Sequence, residues 1–292
     1  MTHQDPAARQ RRIIEEMHVT QEFDAHREID RRVTFLADYL RASGLKTYVV
    51  GISGGVDSTT AGRLAQLTVE RLRGEGYACR FVAMRLPYGT QHDEADAQQS
   101  LAFIGADETL TVDIKPAADA MLAALIAAGT QFANHAQQDF VHGNVKARQR
   151  MIAQYAVASA RSGVVIGTDH AAESVMGFFT KFGDGGADVL PLTGLNKRRV
   201  RALARALGAS ETIAEKIPTA DLETLRPQRP DEDAYGITYN HIDDFLEGKP
   251  VSKNVYEAVF RFYDATRHKR ALPYTVAPEQ CVLSGVGVMR CA

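Results

Sequence analysis

A glycine- and serine-rich loop follows the first strongly apolar run of the sequence. Residues 47–52 are β-branched and aromatic, and residues 51–58 read Gly-Ile-Ser-Gly-Gly-Val-Asp-Ser. A polyphosphate needs closely spaced backbone N–H donors, and Gly54 and Gly55 let it approach the chain because they carry no side chain. A helix that begins directly after the loop adds unpaired N–H groups and the positive end of its dipole. The loop is therefore predicted to bind phosphate groups.

The polar side chains of this loop suit the same chemistry. Ser53 and Ser58 supply hydroxyl donors, and Asp57 is able to hold a Mg²⁺ ion that bridges phosphates. The loop lacks the Gly-Lys-Ser/Thr ending of a Walker A motif and the Gly-x-Gly-x-x-Gly pattern of dinucleotide-binding folds. The simpler alternative is a strand-to-helix turn capped by a Ser or Asp side chain. That alternative explains neither the adjacent glycines nor the flanking serines.

Strands that alternate with helices must position the loop. The apolar pattern predicts strands at 47–52, 79–84, 109–114 and 163–168, and helices at 22–43, 57–74, 93–104, 117–128, 144–160, 196–207 and 252–269. Such alternation requires crossover connections. We therefore expect an α/β fold with a doubly wound, mainly parallel sheet flanked by helices, and a helical C-terminal portion.

Residues 178–192 interrupt this alternation. They contain Gly183, Gly185, Gly186 and Pro191, and glycine-containing loops of this length often cover active sites. We predict that 178–192 is an active-site loop. Without a convincing linker, residues 1–292 are predicted to form a single domain with an N-terminal arm at 1–20.

Composition excludes several classes of protein. The 292 residues are 45% hydrophobic and 24% charged, with a formal net charge of −2, which argues against a polybasic nucleic-acid coat and an acidic disordered tail. Three scattered cysteines form neither a disulfide framework nor a Cys-x-x-Cys pair. The sequence shows no signal-peptide pattern and no apolar run long enough for a membrane span. A cytoplasmic protein without a membrane partner is expected.

The SGGVDS stretch at 53–58 resembles the pyrophosphate loop of N-type ATP pyrophosphatases, whose fold is adenine nucleotide alpha hydrolase-like. Further stretches narrow the resemblance to ammonia-dependent NAD⁺ synthetase. They are RLPYG at 85–89, GNVKAR at 143–148, GTDHAAE at 167–173, FTKFGDGGAD at 179–188 and PTADL at 218–222. The resemblance extends from about residue 22 to residue 270.

The resemblance implies an amide-forming ligase that performs the final step of NAD biosynthesis. In that reaction the carboxylate of deamido-NAD⁺ attacks the α-phosphate of ATP, pyrophosphate leaves, and ammonia then displaces AMP to give NAD⁺. It implies ATP as co-substrate, Mg²⁺ as cofactor and a homodimer with substrate bound across the subunit boundary. Catalysis of this kind depends on alignment and charge neutralisation rather than on a protein nucleophile.

The resemblance also implies the residues of the site. Asp57, Glu173 and Lys197 are the expected catalytic residues, with Asp57 and Glu173 as the metal ligands. The expected ATP contacts are Gly51, Ile52, Ser53, Gly54, Gly55, Val56, Asp57, Ser58, Thr168, Lys197 and Thr219. The expected deamido-NAD⁺ contacts are Arg148, Lys181, Asp188, His268 and Lys269.

Several of these residues have simpler explanations. Asp57 and Glu173 also suit the first turns of helices, where a negative charge is favoured. Lys197 lies in the basic run 197–205, which could be the solvated face of a helix. His268 and Lys269 could be ordinary cations at a helix C-terminus.

Two further features remain open at this point. Phe178, Phe179 and Phe182 could belong to the core or form a stacking platform for the pyridine ring. Asp184 could orient ammonium or remove its proton.

Many relatives carry an additional glutamine-hydrolysing domain. Here only a short polar sequence precedes the first predicted helix, so we expect free ammonia, or ammonia from a separate protein, as the nitrogen source.

Two other functions compete with the amide-forming ligase. One keeps the ATP chemistry but acts on RNA, as in tRNA thiolation or lysidine formation. The paired cysteines of a thiolating enzyme are missing, and the basic run lacks the interleaved aromatic residues of an RNA platform, so no nucleic-acid partner is expected. The other is an ATP-binding regulatory protein with the same sheet.

Overall fold

The computed structural model describes residues 5–89, 94–220, 222–225, 229–275, 282–284 and 288–290. The helices are α1 Pro6–Glu16, α2 Ala25–Ser43, α3 Val56–Gly74, α4 Glu94–Ile104, α5 Lys115–Ala127, α6 His135–Ala160, α7 Ala171–Met176, α8 Lys197–Ala206, α9 Glu211–Ala214, α10 Asp231–Tyr235, α11 Tyr239–Leu246, α12 Lys253–Ala265 and α13 Arg267–Arg270. The strands are β1 Thr47–Gly51, β2 Arg80–Arg85, β3 Glu108–Thr111, β4 Gly163–Val165, β5 Thr219–Ala220, β6 Arg229–Pro230, β7 Val282–Ser284 and β8 Val288–Arg290.

A parallel sheet organises the first two thirds of the chain. Its strand order is β3-β2-β1-β4, and Thr47 of β1 pairs with Arg80 of β2 on one side and with Gly163 of β4 on the other. Parallel neighbours need crossover helices, which here cover both faces of the sheet. The predicted α/β class and parallel sheet are confirmed. Because β1 and β4 are adjacent, the segments that follow them emerge side by side.

Successive side chains along β1 pack into two separate hydrophobic cores. Tyr48 and Val50 point into a cluster with apolar residues of α2, α3 and α8. Val49 points to the opposite face, where it packs with Val82, Met84 and residues of α6. This is the period-two pattern of a strand that is buried on both faces.

The predicted elements differ from the structure at several boundaries. Helix α6 begins at His135 rather than at residue 144, and the helix predicted at 252–269 is divided at Thr266 into α12 and α13. The predicted fourth strand, at 163–168, is a ladder only for residues 163–165, followed by a single bridge from Ile166 to Val189. Helices α7, α9, α10 and α11 were not predicted.

The predicted N-terminal arm, residues 1–20, contains helix α1, which the sequence pattern did not predict. Asp5 caps α1 and Pro6 begins it, a typical helix start. Ile13 and Ile14 pack with α7, α11 and α12 in a third core. Gln10 Nε2 donates to the carbonyl oxygens of Phe245 at 2.8 Å and of residue 249 at 3.0 Å. The N-terminal segment is thus part of the C-terminal helical layer.

Among the described residues, no helix combines the length and apolarity that crossing a bilayer requires.

Candidate active site

The loop between β1 and α3 has a backbone shape that requires glycine. Gly54 has φ +89°, in the left-handed region that side chains disfavour. A Cβ atom there would also lie 2.9 Å from the backbone nitrogen of Ala97 on α4. Gly54 therefore lets the loop turn sharply where α4 approaches it.

The two serines of the loop hold its shape. Ser53 N–H donates to Ser58 Oγ at 3.2 Å, and Gly55 N–H donates to Ser53 Oγ at 3.2 Å. No described side chain caps α3, so the alternative of an ordinary Ser- or Asp-capped turn was wrong. The N–H groups of a first helical turn have no acceptor within the helix, which leaves those of Val56 and Asp57 for a ligand.

This loop forms one wall of a cavity of about 300 Å³, here called the smaller cavity. Its lining includes Gly51, Ile52, Ser53, Gly55, Val56, Asp57, Ser58, Arg85, Leu86, Thr168, Asp184, Gly186, Lys197, Pro218 and Leu222. Most of the residues predicted to contact ATP line this cavity. Gly54 is not among the lining residues and forms the turn behind them. The side chain of Thr219 lies outside the described part of the structure.

Four charged or titratable side chains meet beside the smaller cavity. Lys197 Nζ donates to Asp57 Oδ2 at 2.7 Å and lies 3.8 Å from Glu173 Oε1. His170 Nε2 lies 3.4 Å from both Asp57 Oδ1 and Glu173 Oε1. Glu173 and His170 are three residues apart at the start of α7, directly after β4. The three predicted catalytic residues thus form one cluster with His170.

The cluster is strongly coupled electrostatically. Burial alone would raise the pKa of Asp57, but the Lys197 ammonium and His170 more than offset it and lower this pKa. Burial would lower the pKa of His170, yet Glu173 and Asp57 raise it to about 9. The pKa of Lys197 is raised, since the same carboxylates outweigh its burial. At neutral pH the cluster therefore contains ionised Asp57 and two cations.

The acidic part of the cluster fits a metal ion. Ligand atoms of Asp57, His170 and Glu173 lie within 4.8 Å of one another, and His170 is able to act as a ligand only when its imidazole is neutral. Asp57 Oδ1 is buried and receives no hydrogen bond from any described residue. A buried carboxylate oxygen without a donor is a natural ligand for a cation.

Lys197 is held at this point by a buried helix start. Its side chain is 1% exposed, so the alternative of a solvated basic face was wrong for this residue. Asp243 of α11 accepts the backbone N–H groups of Lys197 at 3.0 Å and Arg198 at 2.8 Å. Burial raises the pKa of Asp243 to about 6, although both hydrogen bonds lower it. The position of Lys197 therefore depends on α11, far away in the sequence.

A second cavity of about 840 Å³, here called the larger cavity, adjoins the cluster. Its walls include Glu16, Met17, His18, Asp169, His170, Ser174, Phe179, Lys181, Phe182, Gly186, Leu190, Lys269 and Arg270. Gly186, in the predicted active-site loop, lines both cavities. The cluster thus lies where the two cavities approach each other.

Two lysines tie the loops around the larger cavity to each other. Lys181 Nζ donates to the carbonyl oxygens of His268 at 2.5 Å and Ala271 at 3.2 Å. In return, Lys269 Nζ donates to those of Gly177 and Phe179, both at 2.8 Å. Burial lowers the pKa of Lys269. Lys181 and Lys269, both predicted to contact deamido-NAD⁺, therefore line the larger cavity and also link neighbouring loops through hydrogen bonds.

The other three residues predicted to contact deamido-NAD⁺ do not line either cavity. Arg148 is exposed and donates to the carbonyl oxygen of Lys181 at 3.2 Å. The Asp188 carboxylate accepts from the N–H of Val165 at 2.8 Å and from the hydroxyl of Tyr155 at 3.1 Å. His268 is exposed. In this structure Asp188 supports the end of β4.

The phenylalanines divide between core and cavity. Phe178 packs edge-on against Tyr235, with ring centroids 5.0 Å apart, in the C-terminal core. Phe179 and Phe182 line the larger cavity instead.

Sequence reasoning missed two residues of the site. His170 lies inside the GTDHAAE stretch, and its spacing of three from Glu173 could have indicated a shared helix face. Arg85 is buried and lines the smaller cavity, where it donates to the carbonyl oxygen of Ile52 at 2.6 Å and to Glu94 at 2.8 Å. It begins the RLPYG stretch, to which no role was assigned.

Comparisons with known proteins agree with this geometry. A family model described as NAD synthase matches residues 28–273. An NH(3)-dependent NAD(+) synthetase of Paraburkholderia phytofirmans is 76% identical over 275 residues, covering 94% of this chain and 96% of that protein.

Solved structures of other proteins also resemble this chain. An NAD⁺ synthetase from Burkholderia pseudomallei is 72% identical, with a TM-score of 0.81 over 94% of this chain and 100% of that one. An NMN synthetase from Francisella tularensis is 36% identical, with a TM-score of 0.76 over 88% of this chain and 100% of that one. The chain therefore belongs to the NAD synthase family.

Proposed function

We propose that the protein converts deamido-NAD⁺, ATP and ammonia into NAD⁺, AMP and pyrophosphate. The observation that carries this proposal is the cluster of Asp57, Glu173, Lys197 and His170 where the two cavities approach each other. The smaller cavity has a phosphate-binding wall, and the larger is roomy enough for a dinucleotide. A reaction between the ligands of the two cavities would therefore take place at the cluster.

The first step activates the carboxylate of deamido-NAD⁺. An oxygen of that carboxylate attacks the α-phosphorus of ATP, the bond to the β-phosphate oxygen breaks, and pyrophosphate leaves with the electron pair. In this step the first-turn amides of α3 and the Lys197 ammonium, which line the smaller cavity, would balance the charge of the departing pyrophosphate. These groups act by position and charge, without forming a bond to substrate.

The second step forms the amide. Ammonia attacks the carbonyl carbon of the adenylate, AMP leaves with the bonding electron pair, and the nitrogen loses a proton. Asp184, which lines the smaller cavity and accepts the N–H of Thr180 at 2.9 Å, is our candidate for orienting ammonium.

We assign Mg²⁺ to Asp57 and Glu173, because this ion prefers oxygen ligands. When bound, Mg²⁺ would neutralise charge on the ATP phosphates. His170 adjoins both carboxylates and, as a cation, would limit their mutual repulsion.

The test is a product analysis with ATP, Mg²⁺, ammonium and deamido-NAD⁺. We expect NAD⁺, AMP and pyrophosphate in equal amounts, and release of ADP and phosphate would contradict the mechanism.

A parallel reaction tests the choice of substrate. Nicotinate mononucleotide replaces deamido-NAD⁺ in it, because one similar structure is that of an NMN synthetase. Faster turnover of the mononucleotide would overturn the substrate assignment. A tRNA competitor that inhibits at moderate salt would favour the RNA alternative.

We further propose that the protein is a homodimer that pairs through α5 and α6. Helix α5 is rich in Ala, Leu and Ile, yet only its Ala118 is buried. Met121, Ile126, Phe140 and Ile152 of the two helices are 46%, 48%, 58% and 51% exposed. Exposed apolar side chains gathered on packed neighbouring helices are typical of an interface between subunits. A second copy of the chain suits this face, since the resemblance implies a homodimer.

Light scattering on the double variant Met121→Glu/Phe140→Glu tests the dimer. We expect a monomer, whereas Phe35→Glu on α2, at a position that is 43% exposed, should leave the dimer intact. A dimer that survives the double substitution would exclude this face.

A further inference from the structure

Three of the sequence stretches that carry the family resemblance contact one another through a single lysine side chain. The resemblance assigns no role to this lysine. Lys146 of the GNVKAR stretch lies on α6, and this residue is 3% exposed. Its Nζ donates to the carbonyl oxygen of Leu222, in the PTADL stretch, at 3.0 Å. It also lies 4.1 Å from the ring centroid of Tyr88, in the RLPYG stretch. The ammonium thus joins two segments that are distant in sequence.

Both joined segments contribute to the smaller cavity. Arg85 and Leu86, just before Tyr88, line it, and so does Leu222. Lys146 itself is not part of the lining, although its neighbour Ala147 is. An effect of Lys146 on a ligand in this cavity must therefore act through the segments that it holds.

Helix α6 holds the segment 222–225 at more than one point. Lys146 Nζ donates to Thr224 Oγ1 at 2.9 Å. The Asp139 carboxylate accepts the backbone N–H of Thr224 at 2.9 Å and that of Leu225 at 2.8 Å. Gly143 lets the chains approach, since a Cβ there would lie 3.2 Å from Leu222. Lys146 thus binds a backbone carbonyl oxygen of this short segment, and Asp139 binds two of its backbone N–H groups.

Tyr88 is a fixed platform for this ammonium. Its hydroxyl donates to Asp119 at 2.5 Å, and the ring packs edge-on against His142 at 5.6 Å between centroids. Burying an ammonium is costly unless its donors are satisfied. A lysine that donates to two oxygen acceptors and packs against an aromatic face therefore holds these partners in fixed positions.

We infer that Lys146 is a positioning residue that sets the affinity of the smaller cavity for its nucleotide by joining the Tyr88 and Leu222 segments. This inference rests on the proposed function, which places ATP in that cavity. It predicts that loss of the ammonium weakens nucleotide binding without removing any group that contacts the reacting atoms.

The test compares Lys146→Met with Lys115→Met. Lys115 is the matched control, because its ammonium also lies near the Tyr88 ring, at 4.7 Å, but bonds to Asp119 and the Tyr88 hydroxyl instead of the segment 222–225. Binding of α,β-methylene-ATP is measured by calorimetry, and steady-state kinetics give kcat and KM. We expect Lys146→Met to raise the Kd and the KM for ATP about tenfold to hundredfold, the loss for hydrogen bonds to a charged group. The kcat at saturating ATP should change less than about threefold, and Lys115→Met should resemble the unmodified protein.

Hydrogen exchange supplies a readout that general destabilisation would not reproduce. Amides of residues 222–225 should exchange faster in Lys146→Met, while those of the β1–β2 ladder stay protected. Thr224→Val, at an exposed position, removes one acceptor without disturbing a core and should raise the Kd about threefold. It decides the question if Lys146→Met does not fold.

The outcomes separate the two proposals. If the unmodified protein does not bind α,β-methylene-ATP, the proposed function fails. If it binds the analogue and Lys146→Met or Thr224→Val binds it equally well, the role of Lys146 is wrong.

Discussion

The smaller and larger cavities differ in the parts of the chain that build them. The smaller cavity is lined by the end of β1, the first turn of α3 and the start of α8, which are anchored in the central core, and on another side by residues 216–218 and 222. The larger cavity is lined mostly by residues 179–194 and 269–272 and by the end of α1, which belong to loops and the C-terminal layer, and otherwise by residues of α6 and of the segment 169–174. Its lysines donate to carbonyl oxygens of neighbouring loops rather than to a buried carboxylate.

This difference indicates a division of labour. Groups that must stabilise a charged transition state benefit from rigid placement, because they need no reorganisation when the reaction occurs. Groups that recognise a large substrate tolerate adjustment, and loops permit it. The account therefore predicts that changes at the smaller cavity act on catalysis or on ATP binding, whereas changes at the larger cavity act on the affinity for deamido-NAD⁺.

The largest expected effect comes from Asp57→Asn. This nearly isosteric change removes the charge that pairs with Lys197 and the oxygen that we propose as a Mg²⁺ ligand. We expect kcat to fall about a thousandfold or more, with the circular dichroism spectrum unchanged. Glu173→Gln should act in the same direction. Full activity in Asp57→Asn would remove this carboxylate from the catalytic machinery.

The second prediction concerns the support of Lys197. The pKa of Asp243 is raised to about 6 in the folded protein and lies near 4 when unfolded. The folded state therefore holds an extra proton between these values, so this residue contributes stability below about pH 4 that is lost as the pH rises through 6.

Asp243→Asn should abolish that part of the pH dependence. The free energy of unfolding of the unmodified protein should fall relative to the variant by up to about 3 kcal/mol from pH 4 to 7. Urea denaturation at several pH values measures this difference. Asp244→Asn, at the adjacent and only partly buried carboxylate, is the control and should retain the decline. Parallel pH profiles for Asp243→Asn and the unmodified protein would refute the prediction.

The third prediction separates loop shape from backbone strain. Gly54→Ala places a Cβ against Ala97 at φ +89°, whereas Gly44→Ala meets φ +70° with no atom within 4 Å. Gly44→Ala should lower the free energy of unfolding by about 1–2 kcal/mol, and Gly54→Ala should lower it further because the backbone of Ala97 must also shift. Only Gly54→Ala should also weaken ATP binding, which calorimetry would detect. Equal ATP affinity in the two variants would show that the loop shape does not matter for binding.

The smallest expected effect lies at the larger cavity. Lys269→Met should raise the KM for deamido-NAD⁺ about tenfold and leave the KM for ATP unchanged. Lys249→Met, an exposed lysine paired with Asp244 and Glu247, should change neither KM. An equal rise in both KM values for Lys269→Met would contradict the division between the cavities.

Much of the smaller cavity could be predicted from the sequence. Asp57 and Glu173 follow strands of a parallel sheet, and residues at the carboxyl ends of neighbouring strands meet at one edge. The predicted β1 and β4 are such neighbours, so the two carboxylates approach each other. The SGGVDS pattern was informative because Gly54 and the two serines each have a local backbone role.

The remainder depends on long-range packing that local patterns do not encode. Lys197 is buried because Asp243 holds its helix start, which periodicity within the basic run could not indicate. Helix α1 was missed because its apolar positions are few, among them Ile13 and Ile14, and it gains most of its stability from the C-terminal layer. Asp188 was assigned to substrate by resemblance alone, whereas its contacts with Val165 and Tyr155 appear only in the folded chain.

The most direct test of the central claim is isotope exchange between labelled pyrophosphate and ATP, in the presence of Mg²⁺ and without ammonia. If the carboxylate of deamido-NAD⁺ displaces pyrophosphate before nitrogen is involved, label should enter ATP only when deamido-NAD⁺ is present. Asp57→Asn should abolish this exchange. Absence of exchange in an enzyme that still makes NAD⁺, or exchange that requires ammonia, would contradict the adenylate account.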